Sequence, residues 1–270
     1  MGNSHDIDYQ LLGDDMQLVT IELDPQESVV AEAGTMMMMD AGIHMDTIFG
    51  DGSQENEGLG SKLLGAGKRL LTGERLFMTI FTNQGQGKQT VSFAAAFPGK
   101  IIPLDLSTMG GEILCQKNSF LCAAKGVGIS LGFTKRLGAG FFGGEGFILQ
   151  KLVGDGLAFA HAGGTIVRRE LAAGEQIKVD TGCLVALTGS VSYDITLAKG
   201  IKTMLFGGEG LFLATLEGPG TVWLQSLPFS RLASNVFAAI PPDQIRSTQT
   251  QGEGSVLGHL GSVLAGDRGF

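Results

Sequence analysis

The stretch Phe142-Gly143-Gly144-Glu145-Gly146 returns letter for letter as Phe206-Gly207-Gly208-Glu209-Gly210, 64 positions on, and a reduced copy, Gly73-Glu74-Arg75, lies upstream. Each copy runs into an apolar segment: Leu76-Phe77-Met78, Phe147-Ile148-Leu149 or Leu211-Phe212-Leu213. A Gly-x-Gly turn follows at Gly85, Gly154 and Gly218. The same order of turn, apolar run and turn, met three times, predicts one β module written in tandem. The expected architecture is all-β: three pseudo-repeats of a small β-sandwich or double-stranded β-helix-like unit, at about 10–97, 98–162 and 163–228. They form a single β domain over 1–230, followed by a short helix and a Gly-rich tail over 231–270.

Working outward, Leu18 to Leu23, Ile101 to Leu106 and Thr165 to Leu171 open the three units as strands, their β-branched content suiting a pleated surface. Turns carrying Glu27, Glu112 and Glu175 come next, and then apolar strands at Met36 to Met39, Phe120 to Ala124 and Cys183 to Leu187. From the Gly at 42, 126 and 189 to the Glu of the Gly-Glu turn the spacings are 32, 19 and 20 residues, so the first unit carries an insertion. Residues 51–58 within it are acidic and polar, the composition of a mobile loop. Beyond the last strand, Thr221 to Gln225, Ser230 is placed to cap a helix over Arg231 to Ile240, which Pro241-Pro242 ends.

Several function classes are disfavoured at once. Nineteen cations against 27 carboxylates give a net charge of -8, which repels nucleic-acid backbones, so no nucleic-acid partner is expected. Cys115, Cys122 and Cys183 are odd in number and lack C-x-x-C spacing, as reduced thiols would be. The first residues lack the charge and apolar pattern of a signal peptide, and no run reaches the roughly 20 apolar residues that span a bilayer; a cytoplasmic protein is expected. His5, His44, His161 and His259 stand singly, and no nucleophile elbow or phosphate-cradling loop leads into a helix. The reading leans away from an enzyme, with no catalytic residue, metal or cofactor assigned.

Two polar features recur with the repeat. Glu74, Glu145 and Glu209 are turn carboxylates that either converge on a pseudo-threefold axis or accept N–H bonds within their own turns. Lys68 with Arg69, Lys135 with Arg136, and Lys199 with Lys202 precede them and could ring one partner-binding face. Leucines and cations between 59 and 71 make a loosely helical segment, interrupted by glycine, that suits a connection packed on the domain or a peripheral membrane contact.

With these residues laid out, the chain resembles the bacterial and archaeal relatives of the yeast mitochondrial biogenesis factor named for altered inheritance of mitochondria. The resemblance rests on Leu23-Asp24-Pro25-Gln26-Glu27-Ser28-Val29-Val30-Ala31-Glu32, Leu70-Leu71-Thr72-Gly73-Glu74, Phe206 to Gly210, and Gln225-Ser226-Leu227-Pro228-Phe229-Ser230-Arg231-Leu232. Gln26 stands where the family's pattern leads one to expect Gly. The resemblance implies a fold similar to the tryptophan RNA-binding attenuation protein, no established catalytic residues, and a link, in eukaryotes, to inner-membrane organisation. It implies neither tryptophan nor RNA as a ligand, because function belongs to the site and not to the fold.

The expected function is that of a non-enzymatic β scaffold or binding protein for an unknown protein partner; the alternative is a small-molecule module with a pocket between repeats. Exposed strand edges, with the apolar surfaces of 59–71 and 256–264, favour a homo-oligomer, with a trimer as the arrangement that continues the pseudo-threefold pattern.

Overall fold

The computed structural model describes residues 4–49, 77–95, 97–135, 147–197 and 212–239, and among them the chain is all-β with one short α-helix. The first strands are β1 (Asp8–Leu12), β2 (Leu18–Leu23), β3 (Ser28–Glu32), β4 (Met36–Met39), β5 (Ile43–Phe49), β6 (Phe77–Asn83) and β7 (Gln89–Ala94). The next six are β8 (Gly99–Asp105), β9 (Glu112–Gln116), β10 (Phe120–Ala124), β11 (Gly128–Lys135), β12 (Phe147–Val153) and β13 (Leu157–Gly163). The last six are β14 (Ile166–Leu171), β15 (Gln176–Asp180), β16 (Leu184–Thr188), β17 (Ser192–Leu197), β18 (Phe212–Glu217) and β19 (Gly220–Gln225).

These strands form four sheets, ordered β1-β2-β7-β4, β5-β6-β3-β10-β13-β8, β11-β12-β9-β16-β19-β14 and β15-β18-β17. Every strand number in the third sheet is six higher than its counterpart in the second. The first sheet without β1, and the fourth, match the two halves of that same pattern. All named strand pairs are antiparallel.

Apolar runs without alternation put side chains on both faces, and the sheets stack accordingly. Phe81 of β6 meets Phe93 of β7 edge-on at 5.2 Å, joining the second sheet to the first. Phe133 of β11 meets Tyr193 of β17 at 5.4 Å, joining the third to the fourth. Val185, Ala186 and Trp223 of the third sheet enter the core that lies behind the second. Full burial of Phe81, Phe93, Phe147 and Phe159 anchors these layers at about 2–3 kcal/mol each.

Three local readings change. β1, whose residues are largely exposed, was not foreseen; it adds to the first sheet beside β2. The helix, α1 (Phe229–Ala238), begins two residues early, directly after Pro228, so Ser230 sits in its first turn instead of capping it; none of its residues is buried. The turn carboxylates also shift register. Asn83 N–H donates to Glu27 O (2.9 Å) and Gly218 N–H to Glu175 O (3.0 Å), whereas Gly154 N–H donates to Gly111 O (3.0 Å). Gly111 therefore takes the place of Glu27 and Glu175, and Glu112 follows one residue later. The loop residues 51–58 and the tail 256–264 lie outside the described residues.

Candidate functional site

The second and third sheets are each held together at a central seam. At the first seam β3 pairs with β10, placing Val29 opposite Ala124, Val30 opposite Ala123 and Ala31 opposite Cys122. At the second, β9 pairs with β16, placing Ile113 opposite Thr188, Leu114 opposite Leu187 and Cys115 opposite Ala186. Each begins with an equivalent bond: Lys125 N–H to Ser28 O and Gly189 N–H to Glu112 O, both 3.0 Å. All five residues of β10 and all five of β16 are buried. Small side chains at Ala31, Cys122, Ala123 and Ala186 let the strands pack between layers on both faces.

The six-strand period leaves two strands without the neighbour their counterparts have. β4 corresponds to β10 and β16, and among the described residues it pairs with β7 alone. β15 corresponds to β3 and β9 and, among the described residues, pairs with β18 alone. The correspondence extends to a bulge: the register slips between Met36 and Met38, between Phe120 and Cys122, and between Leu184 and Ala186. The burial differs sharply. Met37, Met38 and Met39 are 49%, 52% and 38% exposed, against 0% for Cys122, Ala123, Ala186 and Leu187. β15 has no buried residue. An unpaired ladder lined with adaptable apolar side chains can accept a further strand.

Charges beside these edges are engaged within the chain. Asp40, at the end of β4, accepts from Thr90 N–H (2.7 Å) and from the Thr90 hydroxyl (2.9 Å). Glu175, ahead of β15, accepts from Ala172 N–H (3.0 Å) and pairs with Arg169 at 2.6 Å. The backbone bond, then the guanidinium, hold this carboxyl below its ordinary range. Glu27 makes the same turn-closing bond to Asp24 N–H at 2.8 Å, while the displaced Glu112 pairs with Lys151 at 2.6 Å.

Of the residues singled out from sequence, Lys135 ends β11 opposite Phe147. Lys68, Arg69, Arg136, Lys199, Lys202, Glu74, Glu145, Glu209 and the segment 59–71 lie outside the described residues, as do the two copies of the recurring pentapeptide. Turn carboxylates that bond their own backbone do occur, at Glu27 and Glu175. Sequence reading expected exposed strand edges but did not place them at β4 and β15. The signal for β4 was Met36-Met37-Met38-Met39, where Met38 stands in place of Cys122 and Ala186, and Met39 in place of Ala123.

Two histidines mark other polar points. His5 Nδ1 accepts from Ser28 N–H (2.8 Å), and the His5 backbone N–H donates to Lys125 O (2.8 Å), so it stitches the first seam. Burial, and then the nearby Lys125, lower its pKa. His161 on β13 is 3% exposed, its ring edge-on to Phe97 at 4.5 Å, with no hydrogen bond at either nitrogen. Burial pushes it down to about 4, a neutral imidazole near pH 7. A shallow hollow of about 280 Å³ lies over Ala41 to His44 and Gln84-Gly85, all within the first unit and not between repeats. Among the described residues no three His, Cys, Asp or Glu side chains come together as a metal ion would require. No helix there is long and apolar enough to cross a membrane.

The fold is that of an all-β protein of stacked, seam-joined sheets whose organisation lies in its strand edges. The chain belongs to the family described as Mitochondrial biogenesis AIM24, whose model matches residues 9–227. An uncharacterized protein of Streptococcus pyogenes serotype M6 is 30% identical over 227 residues, covering 83% of this chain and 87% of its own. A crystal structure of a Streptococcus pyogenes protein superposes with a TM-score of 0.68 at 23% identity, covering 87% of this chain and 100% of that one, and supports the fold.

Proposed function

We propose that this protein is a non-enzymatic β scaffold in the cytoplasm that associates with copies of itself and presents a repeated face to a protein partner. One observation carries the reading: Met37 to Met39 lie exposed on an open strand whose two counterparts are wholly buried. Exposed apolar strand edges invite pairing, and a closed ring, a trimer in the simplest case, removes every such edge. Lys68, Arg69, Lys135, Arg136, Lys199 and Lys202 recur once per unit and supply the partner face, with 59–71 as a membrane-surface contact. The net charge of -8 argues against nucleic acid as that partner.

Light scattering at micromolar concentration tests the assembly. One discrete mass, a small multiple of the chain, is expected; a mass near the single-chain 28.2 kDa refutes it. Charge reversal at Lys68 and Arg69 is expected to leave that mass unchanged and to weaken binding to anionic vesicles. Loss of the oligomer in that variant would move the interface to the basic segment.

A further inference from the structure

The open edges are complementary, and their internal counterparts supply the register. We infer that β15 of one chain pairs antiparallel with β4 of a second copy, as a third instance of the seam formed by β3 with β10 and by β9 with β16. This rests on the self-associating reading above and names its contact.

The equivalences follow from the shared partners. Ser28, Glu112 and Gln176 stand opposite Thr82, Val153 and Glu217 at the first paired position of each strand, so Val29, Ile113 and Ile177 correspond. On the other side, Met38 stands opposite Ser92, Cys122 opposite Phe159 and Ala186 opposite Trp223, each directly after the bulge. Transferring the seam register puts Ile177 opposite Asp40 of the second copy, Lys178 opposite its Met39 and Val179 opposite its Met38. The ladder opens with a bond from Ala41 N–H of the second copy to Gln176 O, the counterpart of Lys125 to Ser28 and of Gly189 to Glu112.

Other sheet margins do not share this relation. β5, β11 and β17 end their sheets in all three units, and β8 and β14 do so in two, so these margins belong to the unit itself. Among the described residues, only β4 and β15 lack a neighbour that every counterpart has. Lys178 replaces the buried Val30 and Leu114; in the pair its alkyl stem covers Met39 while the ammonium reaches water. Two different edges meet, so the contact is head-to-tail, and closing it into a ring satisfies both ends of every chain.

Alternation along the ladder makes Val179 and Met38 a pair without mutual hydrogen bonds, with Cα atoms about 4.5 Å apart, within disulfide reach. In a Cys183→Ser background, the chain carrying both Val179→Cys and Met38→Cys is expected to form a ladder of covalent multimers on mild oxidation. Each single variant is expected to give at least tenfold less. Three results overturn the inference: no ladder while light scattering still shows an oligomer, a disulfide closed within one chain, or a single variant that links to itself. A single-chain mass in light scattering would sink the scaffold reading itself. Lys178→Pro provides a second arm, since it removes an N–H aimed at the open edge and leaves the bonds to β18. It is expected to yield a folded single-chain species by circular dichroism and light scattering, whereas Lys178→Ala keeps the oligomer. Retention of full mass by Lys178→Pro also overturns the inference.

Discussion

Ala123 and Met39 hold the same position in successive units, yet one is sealed between β3 and β13 and the other lies 38% exposed on a strand with a single neighbour. The difference shows how each place is constrained. Within a seam, a strand has neighbours on two sides and layers on its faces, so Cys122, Ala123 and Ala124 must be small. At the open edge nothing fixes volume, and four unbranched, polarizable methionines can mould themselves to whatever covers them.

The widest gap between the two places is expected on inserting a charge. Ala123→Glu buries a carboxylate in the seam and should cost about 4 kcal/mol or more, enough to abolish cooperative unfolding in urea. Met39→Glu at the open edge should leave the chain folded, with secondary structure unchanged, and lower only the mass in light scattering. Equal damage from both would show that the edge is already part of the core.

A second contrast separates His161 from Gln225, which holds the same place two residues past Phe159 and Trp223. Gln225 Oε1 accepts from Gly163 N–H and its Nε2 donates to Gly182 O, both at 2.8 Å, whereas neither His161 nitrogen is bonded. With a folded pKa near 4, below the unfolded value of about 6.5, the unfolded chain binds more protons between those limits. The buried neutral ring therefore contributes stability above pH 6.5 that is lost as pH falls toward 4, about 2 kcal/mol by pH 5. Urea denaturation at pH 7.5 and pH 5 should show this loss, and His161→Gln should remove it.

The smallest effect concerns the turn before β3. Gln26 sits at φ 73°, where its counterparts are Gly110 at 81° and Gly174 at 76°. Gln26→Gly relieves the left-handed strain but loosens the unfolded chain, for a net gain of about 0.5 kcal/mol by thermal denaturation. A loss of stability would mean that the Gln26 side chain contributes more than its backbone costs.

Much of this was legible from the residues. Leu18 to Leu23, Met36 to Met39 and Phe120 to Ala124 read as strands with the bounds they take, because β-branched or apolar runs between turn residues report a local preference. Gln26 stood out only against the pattern of the family the chain resembles, which leads one to expect Gly there; the structure supplies the reason, a left-handed backbone at φ 73°. β1 escaped, its Asp8-Tyr9-Gln10-Leu11-Leu12 giving a weak alternation that becomes a strand only beside β2.

The all-β class and many of the strands and turns could be read from the residues, because they follow from side-chain and backbone preferences over a few positions. That β3 pairs with β10, and β9 with β16, across about 90 and 70 positions of chain emerges only in the folded molecule. Pairing is a contest among many similar apolar strands, settled by which layers can close over them and not by any one segment. The same contest leaves β4 and β15 open, so a run of four methionines that reads as an apolar strand in the sequence lies on an edge in the fold.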